Sequence, residues 1–254
     1  MRYQRLIPVI APLLVWLLSQ ALLWEPRFFY SSLALGVLVI ALSVRYLALK
    51  NKIFWLPFIL PPALLFLSFI SYIAIIVGNF WIQSIGVLLV YLLFLYFRNL
   101  YYYFASGAEQ PEWSLRLDNL LMSSGFLSAF TAAAFLFNLS TFTNWPIYFL
   151  LPSLAVLSGL LFWQFRLVPH PDNVPRSIWL PLLSVLALTE LAAAFALLPL
   201  NFNILALFFA IAYYLGLILI RLSEGSNLRR RTIKLPLILS AIVILLLLLT
   251  SRWL

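Results

Sequence analysis

The chain has 254 residues, of which 65% are hydrophobic and 9% are charged; its net charge is +9, and it contains no cysteine. This composition excludes an ordinary soluble domain, because a water-soluble fold of this size cannot hide so much apolar surface. The absence of cysteine excludes disulfides, thiolate catalysis and cysteine-ligated zinc. The sequence also has no soluble basic region that would bind nucleic acid.

Nine segments are mostly apolar over about the 20 residues that a helix needs to cross a bilayer. Gly78-Asn79 and Pro199-Leu200-Asn201 each interrupt an apolar run about twice as long as a bilayer is thick, which predicts two helical hairpins. Backbone groups in lipid must be satisfied within their own segment. The sequence therefore predicts an all-α, polytopic bundle forming one membrane domain over 1–254. Its spans are 6–24, 28–46, 54–77, 80–98, 118–138, 145–165, 178–198, 202–221 and 235–251.

The basic residues predict the orientation of these spans. With the N-terminus in the cytoplasm, 14 of the 16 Lys and Arg residues fall on the inner side, and only Arg27 and Arg252 fall outside. This is the bias of cytoplasmic loops, and an odd number of spans puts the C-terminus on the outer side. The expected location is the cell (inner) membrane. Most tryptophans also fall at predicted span ends, the level that their amphipathic rings prefer. Span one is expected to be retained, because its apolar stretch is longer than that of a signal peptide.

Proline and small residues refine the spans. Pro61 and Pro62 lie deep enough in span three to predict a kink or local unwinding. Pro111 begins either a short interfacial helix or the fifth span itself, and the polar residues 139–144 are expected to separate spans five and six. Small residues that let helix backbones approach predict packed faces in spans two, five and seven. They are Ser32 and Gly36 in span two, Ser124, Gly125, Ser128, Ala129, Ala132 and Ala133 in span five, and Ala192 to Ala194 in span seven.

Glu190 is the acid that the sequence places within the membrane, near the middle of span seven. Because a carboxylate costs about 2.5–3.5 kcal/mol at the centre of a membrane helix, it is expected to be protonated, paired or facing water. One hypothesis is that a buried Glu190 binds a substrate or couples protons in an internal cavity. The alternative is a structural Glu190, hydrogen-bonded to Tyr213, Tyr214 or a Ser or Thr hydroxyl.

Weaker candidates lie in the connections between spans. His170 and Asp172 stand in a proline-rich inner segment, which is explained more simply as a stiff loop. Glu25 and Arg27 form the one outer connection that carries an acid. A basic run is explained by topology, with contact to anionic lipid headgroups as a further possibility; it consists of Arg229, Arg230, Arg231 and Lys234.

A short C-terminal region carries a resemblance to known sequences. It comprises Glu190, Leu198-Pro199, Phe202 and Tyr213-Tyr214-Leu215-Gly216. This region, about 30 residues of the chain, resembles uncharacterised polytopic membrane proteins of candidate-phylum bacteria. The resemblance implies a bacterial source and no particular activity.

Three functions are consistent with the sequence. The first is a small permease or channel-like protein with Glu190 in an internal cavity, and the second is a non-catalytic membrane subunit that packs against a partner. The third is an intramembrane enzyme acting on lipid. The sequence lacks the phosphate-binding, zinc-protease and nucleophile motifs of familiar enzymes, so an enzyme is the less favoured class. No cofactor or metal site is expected.

Overall fold

The computed structural model describes residues 3–49, 55–76, 78–105, 111–142, 146–167, 178–223, 238, 240 and 242–245. Within these residues the chain is helical and contains no strand. Eight α-helices follow one another, together with short 3₁₀ turns before α1, α2 and α3. They are α1 (Ile7–Trp24), α2 (Phe29–Ala48), α3 (Leu60–Ile73), α4 (Asn79–Ala105), α5 (Pro111–Phe142), α6 (Ile147–Leu167), α7 (Trp179–Ala196) and α8 (Phe202–Ser223).

Eight helical segments of the described chain are long and apolar enough to cross a membrane. The prediction of an all-α, polytopic membrane protein is therefore confirmed. Most of the ninth predicted span, 235–251, lies outside the described residues; those described within it (238, 240 and 242–245) are helical.

Both predicted hairpin breaks are present. Gly78 has a φ of 114°, a conformation that glycine adopts without steric cost, and α4 begins at the next residue. After α7 ends at Ala196, Asn201 starts α8: its Oδ1 accepts a hydrogen bond of 2.9 Å from the backbone N–H of Asn203. This is a standard capping arrangement that satisfies one of the free N–H groups of a helix start.

Three sequence-based boundaries are corrected by the structure. The first concerns span three, where a 3₁₀ turn at Leu56–Phe58 precedes α3 and Pro61 and Pro62 fall in the first turn of α3. The prolines therefore stand at the start of α3, and the non-α-helical turn lies before it. A first turn tolerates proline because its N–H groups have no partner within the helix.

The other two corrections lengthen α4 and α5. Helix α4 continues to Ala105 and α5 begins at Pro111, so Pro111 starts the fifth span itself. The polar residues 139–144 are predicted to separate spans five and six, but α5 continues into them and ends at Phe142. The Thr141 hydroxyl donates to the Phe137 carbonyl at 2.9 Å, and a hydroxyl satisfied by its own helix does not need to end it.

The chain divides into two compact units, Met1–Ser128 with Leu167–Pro171 and Ala129–Arg166 with Asp172–Leu254. In the first unit, α1 packs against α2 and α4, and α3 packs against α2 and α4. The predicted packing role of Gly36 in α2 is confirmed, because a Cβ built there would overlap the ring of Phe66. The Tyr96 hydroxyl donates to the Phe58 carbonyl at 2.9 Å and ties α4 to the turn before α3.

In the second unit, α7 packs against α8 through one side of its helix. Ser184, Leu188, Ala192 and Phe195 follow helical spacing along this side. Leu188 and Ala192 are buried, and the rings of Phe195 and Phe208 lie 5.6 Å apart. Gly216 of α8 lets the α6 and α7 helices approach, since its Cβ position is 3.2 Å from Phe162 and 3.9 Å from Ser184.

Candidate functional site

Glu190 lies in α7 but points away from the packed interior. Its side chain is exposed, whereas the buried Leu188 and Ala192 are each two residues away, about 200° around the helix. Glu190 makes no hydrogen bond or ion pair with any other described residue. The described residues therefore do not bury Glu190, and its role in binding a substrate or coupling protons stays a prediction.

The reason lies in which side of α7 is needed for packing. Helix α7 is the least buried of the eight candidate spans, and only Pro181, Leu188 and Ala192 are buried among its 18 residues. Its packing side is made of residues that fit against α8, and Glu190 stands opposite. The hydrophobicity of α7 is nearly uniform around the helix, so the sequence pattern could not reveal which side packs.

The exposed side of α7 forms a continuous surface along the helix. We call it the Glu190 face; it consists of Leu183, Leu186, Ala187, Glu190, Ala194 and Leu197, all exposed. These residues recur at spacings of three and four and so share one side of the helix. Ala187 and Ala194 lie one turn to either side of Glu190, which leaves the carboxyl group flanked by small side chains.

Tyr213 and Tyr214, proposed as partners of Glu190, have other surroundings. Tyr213 is fully buried, its hydroxyl donates to the Leu161 carbonyl at 3.3 Å, and its ring lies 5.0 Å from Phe162. Tyr214 is half-buried and has an interaction partner. Tyr213 therefore joins α8 to α6, and neither tyrosine is hydrogen-bonded to Glu190.

The weaker candidates are only partly within the described chain. Glu25 and Arg27 form an ion pair of 3.5 Å at the connection between α1 and α2, with both side chains exposed. An exposed pair of this kind contributes about 0–1 kcal/mol, so it acts at most as a local contact. His170 and Asp172, and the basic run Arg229, Arg230, Arg231 and Lys234, lie outside the described residues.

The structure also shows polar residues that sequence reasoning missed. Asp118, taken as the start of the fifth span, lies inside α5 and is buried together with Ser114 one turn earlier. Both side chains have interaction partners. Among the described acids, Asp118 is therefore buried, whereas Glu25, Glu112 and Glu190 are exposed. The predicted span began at residue 118, whereas α5 begins at Pro111, so the predicted boundary did not indicate that Asp118 lies inside a helix.

Two further buried amides have incomplete hydrogen bonding within the described part of the chain. Oδ1 of Asn99 and Nε2 of Gln164 lack a hydrogen bond of normal geometry, although the Gln164 side chain does interact with Tyr213. Gln20 and Gln83 behave differently, because their amides exchange two hydrogen bonds of 3.3 and 3.1 Å between α1 and α4. Among the described residues, no group of three or more His, Asp or Glu could hold a metal ion.

The eight membrane-length apolar helices in the described part of the chain define it as a multi-pass integral membrane protein. Trp24, Trp81 and Trp179 support this class, since each stands exposed at a helix end, where an amphipathic ring meets the headgroup level. Comparison with protein-family models, with curated proteins and with solved structures finds no match. The candidate site must therefore be interpreted from its own chemistry.

Proposed function

We propose that the protein is a non-catalytic membrane subunit that assembles side by side with a partner through the Glu190 face of α7. The single observation that supports this function most is an exposed carboxyl group in the least buried span. By helical rise, Glu190 is about 13 Å from Pro199, where the chain leaves α7, and this is close to the middle of a hydrocarbon core about 30 Å thick.

The energy of that position favours a covered face. A carboxylate facing acyl chains costs about 2.5–3.5 kcal/mol, and the short Glu side chain cannot reach the headgroups from mid-depth. A neighbouring helix that supplies hydrogen bonds would remove most of this cost. Helix association in lipid depends on close backbone approach, which the alanines flanking Glu190 permit.

The same observation weakens the permease hypothesis. Transport through this chain required Glu190 to line an internal path, and the exposed orientation of its side chain removes that support. The lipid-acting enzyme hypothesis gains no cluster of acids among the described residues. The cell membrane as location, with a cytoplasmic N-terminus, remains part of the proposal and depends on the distribution of basic residues.

Site-specific photo-crosslinking in the producing cell's membranes tests lateral assembly. A photoreactive residue would replace Leu186 in the Glu190 face or Val156 in α6; the wild-type side chains are 57% and 63% exposed. We expect one discrete protein adduct from position 186, and that adduct should be lost when Glu190 is changed to Leu. Position 156 should yield only lipid adducts. Absence of any protein adduct at 186 would reject lateral assembly through this face.

A further inference from the structure

Among the described residues of the second unit, no basic side chain lies at the depth of the Glu190 carboxyl group. Glu190 lies six residues before the end of α7, about 9 Å by helical rise. Arg221 lies 19 residues after the start of α8, about 28 Å from the end at which α7 and α8 are connected. The two side chains are thus offset by about 20 Å along the helices, and Arg166 stands near the same end as Arg221.

Arg221 also has a different role in its own surroundings. Its guanidinium carbon lies 5.8 Å from the centre of the Phe165 ring, which is the geometry of a cation–π contact between α8 and α6. In the rest of the sequence, Lys and Arg residues likewise fall near the ends of spans. The described Lys and Arg residues of the second unit therefore place no positive charge at the depth of Glu190, so a partner helix that carries such a charge would be complementary to it.

Two kinds of helix could cover the Glu190 face, and charge distinguishes them. A second copy of this chain would bring a second carboxyl group to the same depth, and like charges at close range disfavour ionisation of both. A helix with one Lys or Arg at mid-depth would instead form a pair, which is the usual way in which charged side chains are accommodated within membranes. Charge complementarity thus favours a heterologous partner over self-association.

We propose that the occupant of the Glu190 face is a transmembrane helix of another protein, carrying a single Lys or Arg opposite Glu190. The flexible four-carbon stem of Lys, or the planar donor group of Arg, reaches a carboxylate across two packed helices about 8–10 Å apart. The alanines at 187 and 194 give such a helix room on either side of the pair. This inference rests on the proposed lateral assembly and specifies the chemistry of the partner.

The test uses the full chain reconstituted in phosphatidylcholine vesicles with synthetic transmembrane peptides. The peptides are Leu/Ala helices with a central Lys, a central Leu, a central Glu, or a Lys displaced by seven residues. A donor fluorophore is placed on a single cysteine replacing Pro199, an exposed position between α7 and α8. Energy transfer to acceptor-labelled peptides then gives the affinity of each peptide.

We expect the central-Lys peptide to bind about tenfold more tightly than the Leu and displaced-Lys peptides, as one strong polar contact in lipid allows. Glu190→Gln should abolish the preference, and Glu112→Gln, which changes an exposed acid outside the face, should keep it. Equal affinity for the central-Lys and Leu peptides, or a preference that survives Glu190→Gln, would overturn the proposal.

The crosslinking experiment separates this inference from the proposed function. A Leu186 adduct that does not contain a second copy, together with the Lys preference, supports both proposals. A Leu186 adduct of two 29.1 kDa chains would retain lateral assembly but reject the basic partner. A Leu186 adduct without any peptide preference would also retain lateral assembly but reject the basic partner. No adduct would reject lateral assembly itself.

Discussion

The amide pair of the first unit and the carboxyl group of the second show two ways of placing a polar side chain in a membrane helix. Gln20 lies four residues before the end of α1, and Gln83 lies four residues after the start of α4, so both are about 6 Å from the same end of their helices. Their amides meet and exchange two hydrogen bonds, although both side chains remain partly accessible. Glu190 has no such neighbour among the described residues.

The difference follows from the chemistry of the two groups. An amide carries both donors and an acceptor, so two glutamines satisfy each other. An ionised carboxylate only accepts hydrogen bonds and needs a donor or a cation. The first unit therefore completes this polar contact internally, whereas the described residues of the second unit supply no partner for Glu190. Three predictions test whether this contrast is real, beginning with the packing that holds the first unit together.

The largest expected effect is that of Gly36→Ala. The added Cβ would overlap two carbons of the Phe66 ring, and that ring is itself buried. Relieving such overpacking costs about 1–3 kcal/mol. Denaturant unfolding in detergent micelles should show a loss in this range for Gly36→Ala.

Gly86→Ala is the matched control, because its Cβ would have no neighbour within 4 Å. It should leave stability unchanged or raise it slightly, since alanine favours a helix over glycine. If both variants lost the same stability, the close contact between α2 and α3 would not be what holds the first unit in place.

A smaller effect is expected from the glutamine pair. Gln20→Leu, Gln83→Leu and the double variant form a cycle whose coupling energy measures the interaction itself. Hydrogen bonds between membrane helices average about 0.6 kcal/mol and reach about 1.7 kcal/mol. We expect a coupling in this range from unfolding in micelles. A coupling of zero would mean that the pair does not satisfy its amides internally and would remove the contrast with Glu190.

The sequence predicted the fold far better than the site. The apolar runs, Gly78 and Pro199 placed the hairpins correctly, because length against bilayer thickness leaves few alternatives. Boundaries failed where local chemistry overrode polarity. Thr141 returns its hydroxyl to its own helix, and α5 therefore continues to Phe142 through residues that looked like a loop.

Side-chain orientation was the part that could not be predicted. The sequence placed Glu190 in the middle of a span and Asp118 at the start of one, but burial depends on which side of each helix meets a neighbour. In a chain that is apolar on every side, hydrophobic periodicity gives little information about that side. The depth match of Gln20 and Gln83 could be read from the span ends, but the adjacency of α1 and α4 could not.

The smallest expected effect is the loss of stability on Glu190→Gln in the isolated protein. Because the side chain is exposed and makes no hydrogen bond or ion pair with any described residue, we expect the free energy of unfolding in micelles to change by less than about 0.5 kcal/mol.

Ala192→Leu is the comparison on the opposite side of α7, where the residue is fully buried, and overpacking there should cost about 1–3 kcal/mol. The two variants therefore separate the side of α7 that stabilises the fold from the side available for binding. If Glu190→Gln destabilised the isolated protein as much as Ala192→Leu, the carboxyl group would have a partner within the chain, and the contrast with the glutamine pair would disappear.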